Sequence, residues 1–173
     1  YGSREDIRKF IEIARSLNIA CYPVVGNHDI YFNGWLEWKD LIGSTSYRIG
    51  SETSNTSLFV LDSANGSLGR TQLEWLEEEL KNTKGRVFVF THTNLFIKSP
   101  VDIVQFTDTR ERAWIISMLK GRGDAVFMGH IHRRIIIEAA GVPYITIEDY
   151  KSNTIFCRVY VSSEGTRYEF STL

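Results

Sequence analysis

The chain has 173 residues, of which 43% are apolar and 24% charged, a size and balance that fit one globular domain with a real core. Twenty Lys and Arg against 21 Asp and Glu leave a formal net charge of −1, and without a basic run this argues against a nucleic-acid binder held by phosphate contacts. No stretch approaches the roughly 18 apolar residues of a membrane span, and Cys21 and Cys157 lack the paired spacing of a zinc ribbon or a redox motif, so they read as buried thiols of a reducing compartment.

The first residue is Tyr1, and neither a charged start nor an apolar signal core follows it. The expectation is a single domain over 1–173 that is a piece of a longer protein, with a cytoplasmic location only as the default. Ser3 and Asp6 mark a capped helix start, and Ile7, Phe10, Ile11, Ala14 and Leu17 recur at helical spacing, predicting about four turns with one apolar face. Ala20 to Val25 is a short apolar run closed by Gly26, which predicts a buried strand although Pro23 removes one ladder donor. Asn33 caps a short helix through Leu41. Thr45 to Ile49 and Ser57 to Leu61 read as strands around a turn rich in Ser, Thr and Asn.

Leu73, Leu76 and Leu80 share one helical face, and Thr71 with Glu74 has capping-box spacing. Arg86 to Phe90 is a strand, Asp108 with Glu111 opens another helix that stops at Gly121, and Ala125 to Met128 is again a strand. The last third is predicted to be sheet: Ile135 to Glu138, Tyr144 to Ile147, Thr154 to Val161 and Arg167 to Phe170, with turns at Gly141 and Gly165. Strands alternating with helices and then a run of strands point to sheet layers with helices outside.

All four histidines fall in three short stretches, Gly26-Asn27-His28-Asp29, Thr91-His92-Thr93 and Gly129-His130-Ile131-His132, each directly after a strand-like run. Loops at the carboxyl ends of strands form the ligand crevice of open α/β sheets, so these three can meet although they are distant in sequence. One His after a strand is more often structural; the joint pattern carries the reading. His130 and His132 are two apart, and in an extended segment both would point to one side. Asn27 offers a neutral oxygen to a divalent cation and an amide nitrogen to a phosphate oxygen, or else simply forms the turn. Asp29 reads as a carboxylate partner of an imidazole or as a cap of the next segment.

Charge limits what this set can hold. Two divalent cations about 3.7 Å apart repel by roughly 18 kcal/mol at an effective dielectric near 20. Asn27, His92, His130 and His132 bring no negative charge to offset it, so a dinuclear centre needs carboxylates from elsewhere.

The three stretches resemble the ordered signature of the calcineurin-like metallophosphoesterases, in which Asp-x-His and Gly-Asp-x-x-Asp precede Gly-Asn-His-(Asp/Glu), a His and Gly-His-x-His. Neither of the first two motifs stands before Asn27. Residues Gln72 to Leu80 also resemble the helix that often precedes the single-His strand in bacterial members. The resemblance implies an α/β/β/α sandwich of two mixed sheets flanked by helices, here lacking its first strands and the N-terminal metal-binding segment.

It further implies hydrolysis of a small phosphodiester or phosphomonoester by a metal-bridging hydroxide at a dinuclear site, with two divalent ions (Mn, Fe or Zn) in the complete protein. Asn27, His92 and His130 would then bind one metal and His132 the other. Asn27 and His28 would contact the phosphate, with His28 protonating the leaving oxygen and Asp29 beside it as the second catalytic candidate. The missing N-terminal segment would be a partner of the chain, and the fragment alone would be inactive. Two alternatives stay open: a non-catalytic scaffold or binding module of the same fold with a degenerate metal site, and a nuclease, which the charge balance disfavours. The 173 residues should hold at most one metal firmly; two tightly bound metals, measured by elemental analysis after dialysis, would contradict the neutral-ligand argument.

Overall fold

The computed structural model describes residues 2–51, 55–97 and 104–173. Helix α1 spans Arg4–Ser16, and the Ser3 hydroxyl caps it by accepting from the Asp6 N–H. A 3-10 turn, Tyr31–Asn33, leads into α2, Gly34–Leu41. The strands are β1 (Tyr47–Ser51), β2 (Thr56–Leu61), β3 (Arg86–Thr91), β4 (Ala125–Met128), β5 (Ile135–Ala139), β6 (Val142–Thr146), β7 (Ile155–Ser162) and β8 (Gly165–Thr172). Helices α3 (Arg70–Asn82), α4 (Thr109–Leu119) and α5 (Tyr150–Asn153) complete the described elements. The Ser, Thr and Asn turn expected before β2 falls largely on 52–54, outside the described residues.

Six strands form one mixed sheet in the order β1-β2-β3-β4-β6-β5. Strands β2, β3, β4 and β6 are parallel neighbours, and β1 and β5 pair antiparallel at the two edges. Successive side chains of a strand point to opposite faces, so an apolar run can be buried on both. On one face Val87, Val89, Val126, Met128 and Tyr144 pack with Leu73, Leu76 and Leu80 of α3 and with Ile115 and Leu119 of α4. On the other, Phe88, Ala125, Phe127 and Ile145 pack against Cys157, Val159, Tyr168 and Phe170 of the antiparallel hairpin β7–β8. Each fully buried leucine contributes about 1.5–3 kcal/mol of transfer free energy, so the three on α3 are its main attachment. The architecture is thus the expected α/β arrangement of a mixed sheet flanked by helices; in place of the expected second mixed sheet, the second layer among the described residues is that antiparallel hairpin.

Several local expectations are corrected. Gly69 rather than Thr71 stands at the N-cap of α3, without a side-chain cap. The Glu111 carboxylate accepts from the Leu68 and Gly69 N–H groups at 2.9 and 3.0 Å, so it caps a neighbouring helix instead of closing a capping box with Asp108. Residues 20–25 are not a strand: no described segment shares a ladder with them, and Tyr47 of β1 ties them to the sheet by donating its hydroxyl to the Pro23 carbonyl at 2.6 Å. The apolar face of α1 is covered only in part. Ile7 is buried with Val25, Trp38 and Ala64, while Phe10 and Leu17 are exposed. Cys21 is likewise exposed and Cys157 half-buried, because the run that carries Cys21 has no described element over it.

Tyr144 is fully buried on the helix face, its ring edge-on to Phe96 at 4.9 Å, and its hydroxyl has no hydrogen-bond partner among the described residues. Burial pushes the phenol up to about 12. The folded state therefore keeps this proton longer than the unfolded chain, and stability falls as pH climbs from the ordinary phenol value of about 10 toward that raised value. Tyr144→Phe should leave stability near neutral pH unchanged or higher by up to ~1 kcal/mol and should flatten the alkaline decline. Urea denaturation of both proteins at about pH 7 and about pH 11 checks it.

Candidate metal-binding site

The parallel strands β2, β3 and β4 all end toward the same edge of the sheet, and the loops that leave them there carry the chemistry. A buried hydroxyl network ties two of these loops together. Thr91 Oγ1 donates to Ser63 Oγ at 2.7 Å, the Thr93 N–H donates to the same oxygen at 2.8 Å, and Thr93 Oγ1 donates to the Ser63 carbonyl at 2.6 Å. The Gly129 N–H donates to the His92 carbonyl at 2.9 Å, which joins the loop after β4 to the loop after β3. His92 is therefore fixed from both sides.

Residues Gly26 to Asp29 form a turn closed twice, by the Asp29 N–H on the Gly26 carbonyl at 3.1 Å and by the Gly26 N–H on Asp29 Oδ2 at 2.8 Å. Asp29 thus plays the capping role. Burial raises its carboxyl, a shift opposed by the Gly26 hydrogen bond and the neighbouring charge of His28. The turn delivers Asn27, 1% exposed, to the loop after β3, where its Oδ1 lies 2.8 Å from His92 Nε2. His130 Nδ1 lies 3.2 Å from the same nitrogen, and the two imidazoles meet edge-on with centroids 5.1 Å apart. His130 Nε2 is 2.9 Å from the Val104 carbonyl. A carbonyl only accepts, so this nitrogen carries the proton and Nδ1 turns a lone pair toward His92.

By the same rule His92 Nε2 carries the proton shared with Asn27 Oδ1, and a bound cation would take its place among these three atoms from three loops. With ligand bonds of about 2.0–2.2 Å, two donors at right angles around one cation lie about 2.8–3.1 Å apart and two tetrahedral donors about 3.3–3.6 Å; of the observed distances 2.8 Å matches the first spacing and 3.2 Å falls between the two, and both are also hydrogen-bond lengths. An oxygen and two imidazole nitrogens match the preferences of Mn, Fe or Zn. Among the described residues, no group of three His, Cys, Asp or Glu side chains is placed to hold a metal; the third member of this cluster is the carboxamide of Asn27, and no carboxylate belongs to it.

His132 does not join the cluster. It is exposed, while His130 is 5% exposed. The extended geometry expected for this stretch is overturned: His130 and His132 have φ of 71° and 52°, and the Ile131 N–H bends back onto the Gly129 carbonyl at 2.9 Å. Alternation of side chains holds only along extended backbone. Non-glycine residues at positive φ carry strain of the order of 1–3 kcal/mol, which clusters at functional sites. His28 is exposed, with its ring edge-on to Tyr31 at 5.1 Å. Tyr31 also accepts from Asn27 Nδ2 at 3.0 Å, a contact for which the only sequence signal is a spacing of four residues.

A side chain at Gly26 would place its Cβ 3.0 Å from both Cε1 and Nδ1 of His92, whereas one at Gly129 would meet His92 at an ordinary 3.7 Å. Gly26→Ala should displace the His92 ring and weaken Mn(II) binding by ~10-fold or more, the usual scale for disturbing the groups around a ligand. Gly129→Ala should leave the His92 ring resonances in place. Imidazole NMR spectra and Mn(II) titration check the pair.

A curated relative from Fibrobacter succinogenes, described as a probable cyclic nucleotide phosphodiesterase, is 26% identical over 160 residues, covering 84% of this chain and 59% of that protein. The chain therefore spans a little under two thirds of the curated relative's length. Among solved structures, a dimetal phosphatase from Danio rerio shares the fold with a TM-score of 0.69 at 15% identity, over 94% of this chain and 75% of that one. A family model described as calcineurin-like phosphoesterase matches residues 2–134, a span that contains all three histidine-bearing loops; the chain belongs to the calcineurin-like phosphoesterase family.

Proposed function

We propose that the protein hydrolyses a small phosphoester with divalent metal ions, and that this chain supplies the neutral half of the metal site. The observation that carries the reading is the meeting of Asn27 Oδ1, His92 Nε2 and His130 Nδ1 within hydrogen-bond distances. Asn27, His92 and His130 would hold one metal, and His132, at the exposed end of the same loop, would reach the other. Bound divalent ions would stabilise charge on the phosphate oxygens and make water a competent nucleophile near neutral pH. His28, exposed beside Asn27, would donate a proton to the leaving oxygen, a task suited to an imidazole. Asp29 acts here as a positioning residue, because its carboxylate holds the turn that presents Asn27 and His28.

Two ions need negative ligands, and we place these on a further segment of the same protein, docked beside residues 20–25 as part of one domain. A hollow of about 290 Å³ lies there, with an apolar wall of Ile7, Phe10, Pro23, Val24, Trp38 and Ile42 and with Asp6 and Asp29 also at its lining. The Trp38 indole N–H, buried, has no hydrogen-bond partner among the described residues. An unladdered run beside uncovered apolar side chains is what a missing neighbouring strand would leave.

The curated relative's description makes phosphodiesters, cyclic nucleotides among them, the first class to assay, with monoesters as the comparison. The experiment is a panel of bis-p-nitrophenyl phosphate, p-nitrophenyl phosphate and 3′,5′-cyclic AMP on the full-length protein with added Mn(II). Turnover that EDTA abolishes is expected. His28→Ala should lower kcat by about 10²–10⁴-fold, the usual contribution of a positioned proton donor, while metal content measured by elemental analysis stays unchanged. Loss of metal in that variant would remove His28 from the proton-donor role. A folded, metal-loaded protein inert on every ester would favour the scaffold reading.

A further inference from the structure

Tyr31 opens the 3-10 turn that follows the Asn27 loop, and it touches two residues of the site at once. Its hydroxyl accepts from Asn27 Nδ2 at 3.0 Å, and its ring meets the His28 ring at 5.1 Å with an interplanar angle of 61°. The carboxamide between them has two unlike ends. Oδ1 faces His92 at 2.8 Å and Nδ2 faces the phenol. A carboxamide turned over would aim N–H groups at the imidazole nitrogens and could offer a cation nothing. Asn27 is 1% exposed, so bulk water cannot satisfy its amide, and a buried donor stripped of its acceptor is costly. The Tyr31 hydroxyl meets that demand on the side away from the imidazoles.

We propose that Tyr31 is a second positioning residue of the site: it anchors the Asn27 carboxamide with its oxygen inward and, with the same ring, seats the His28 imidazole. This deepens the metal-site reading above and rests on it. The two tasks use different parts of the side chain. The hydrogen bond needs the hydroxyl alone, whereas the contact with His28 needs the aromatic ring. Tyr31→Phe removes the first and keeps the second; Tyr31→Leu removes both. Groups that orient a metal ligand typically change metal affinity by about 10–100-fold when lost, and the effect of the hydroxyl belongs in that range.

The test uses the full-length protein with Mn(II) alone as probe. In metal-free Tyr31→Phe, the side-chain amide cross-peak of Asn27 in a ¹⁵N correlation spectrum should move, and calorimetric titration should show Mn(II) bound ~10–100-fold more weakly. The melt should stay cooperative and its midpoint should fall by no more than about 12 °C. Tyr31→Leu should show the same loss of affinity and, in addition, shifted His28 ring resonances and a lower kcat at saturating metal. An unmoved Asn27 cross-peak with unchanged Mn(II) affinity in Tyr31→Phe would overturn the proposal, as would a general loss of spectral dispersion in that variant, the mark of a purely structural residue. If the wild-type protein takes up no Mn(II), the metal reading fails by itself, and the Asn27 cross-peak alone then decides whether Tyr31 orients the carboxamide.

Discussion

Electron-rich atoms do not gather without something positive between them, and that constraint organises the site end of this molecule. Asn27 Oδ1, His92 Nε2 and His130 Nδ1 sit 2.8 and 3.2 Å apart in sequence, on three loops with partners on their far sides. Tyr31 accepts from the Asn27 nitrogen, the Val104 carbonyl accepts from the outer nitrogen of His130, and the loop that carries His92 is bound to both Ser63 and Gly129. Each donor is thereby oriented before any ligand arrives. A proton between nitrogens can satisfy such an arrangement, and so can a cation; the inward lone pair of His130 Nδ1 serves either one.

The scaffold that makes the convergence possible is a sheet buried on both faces. Parallel strands need long crossovers, and the crossover helices α3 and α4 cover one face while the β7–β8 hairpin covers the other. With their sides occupied, the strands have only their ends for function. Loops at the carboxyl ends are free of ladder duties there, and the hydroxyls of Ser63, Thr91 and Thr93 give those loops internal hydrogen bonds in place of solvent. The strained backbone at His130 and His132 stands on the same edge, supported by the Gly129 tie to His92.

The region around α1 is the opposite case. Arg4 bridges to Glu37 and Asp40 of α2 at 2.5 and 2.7 Å, but the pairs are exposed and screened by solvent, so they add little stability. Apolar contacts near Ile7, Val25 and Trp38 hold the helix, and Phe10, Ile13 and Leu17 remain uncovered. The charge argument and the packing therefore concern the same part of the molecule: the turn that delivers Asn27 is attached to the least covered surface, and it is beside that surface that the proposed carboxylates would enter.

Much of this was legible in the chain itself. Short apolar runs bounded by turn residues located the strands of the main sheet and the hairpin at the end, and period-3.6 patterns the helices, because each pattern reflects how an element is buried. The short stretches around Asn27, His92 and His130 stood out because glycine and histidine followed apolar runs. Tertiary contacts decided the rest. Residues 20–25 have a strand's composition, but a strand exists only through a neighbour that shares its ladder. Glu111 stands three residues after a cap residue, yet the nearest unsatisfied N–H groups belong to another helix. The spacing of His130 and His132 suggests one shared side, but left-handed backbone at both histidines separates a buried ring from an exposed one. Sequence determined which groups were available and roughly where the chain would turn; only the fold decided which lone pairs face each other, since that depends on distances between residues dozens of positions apart.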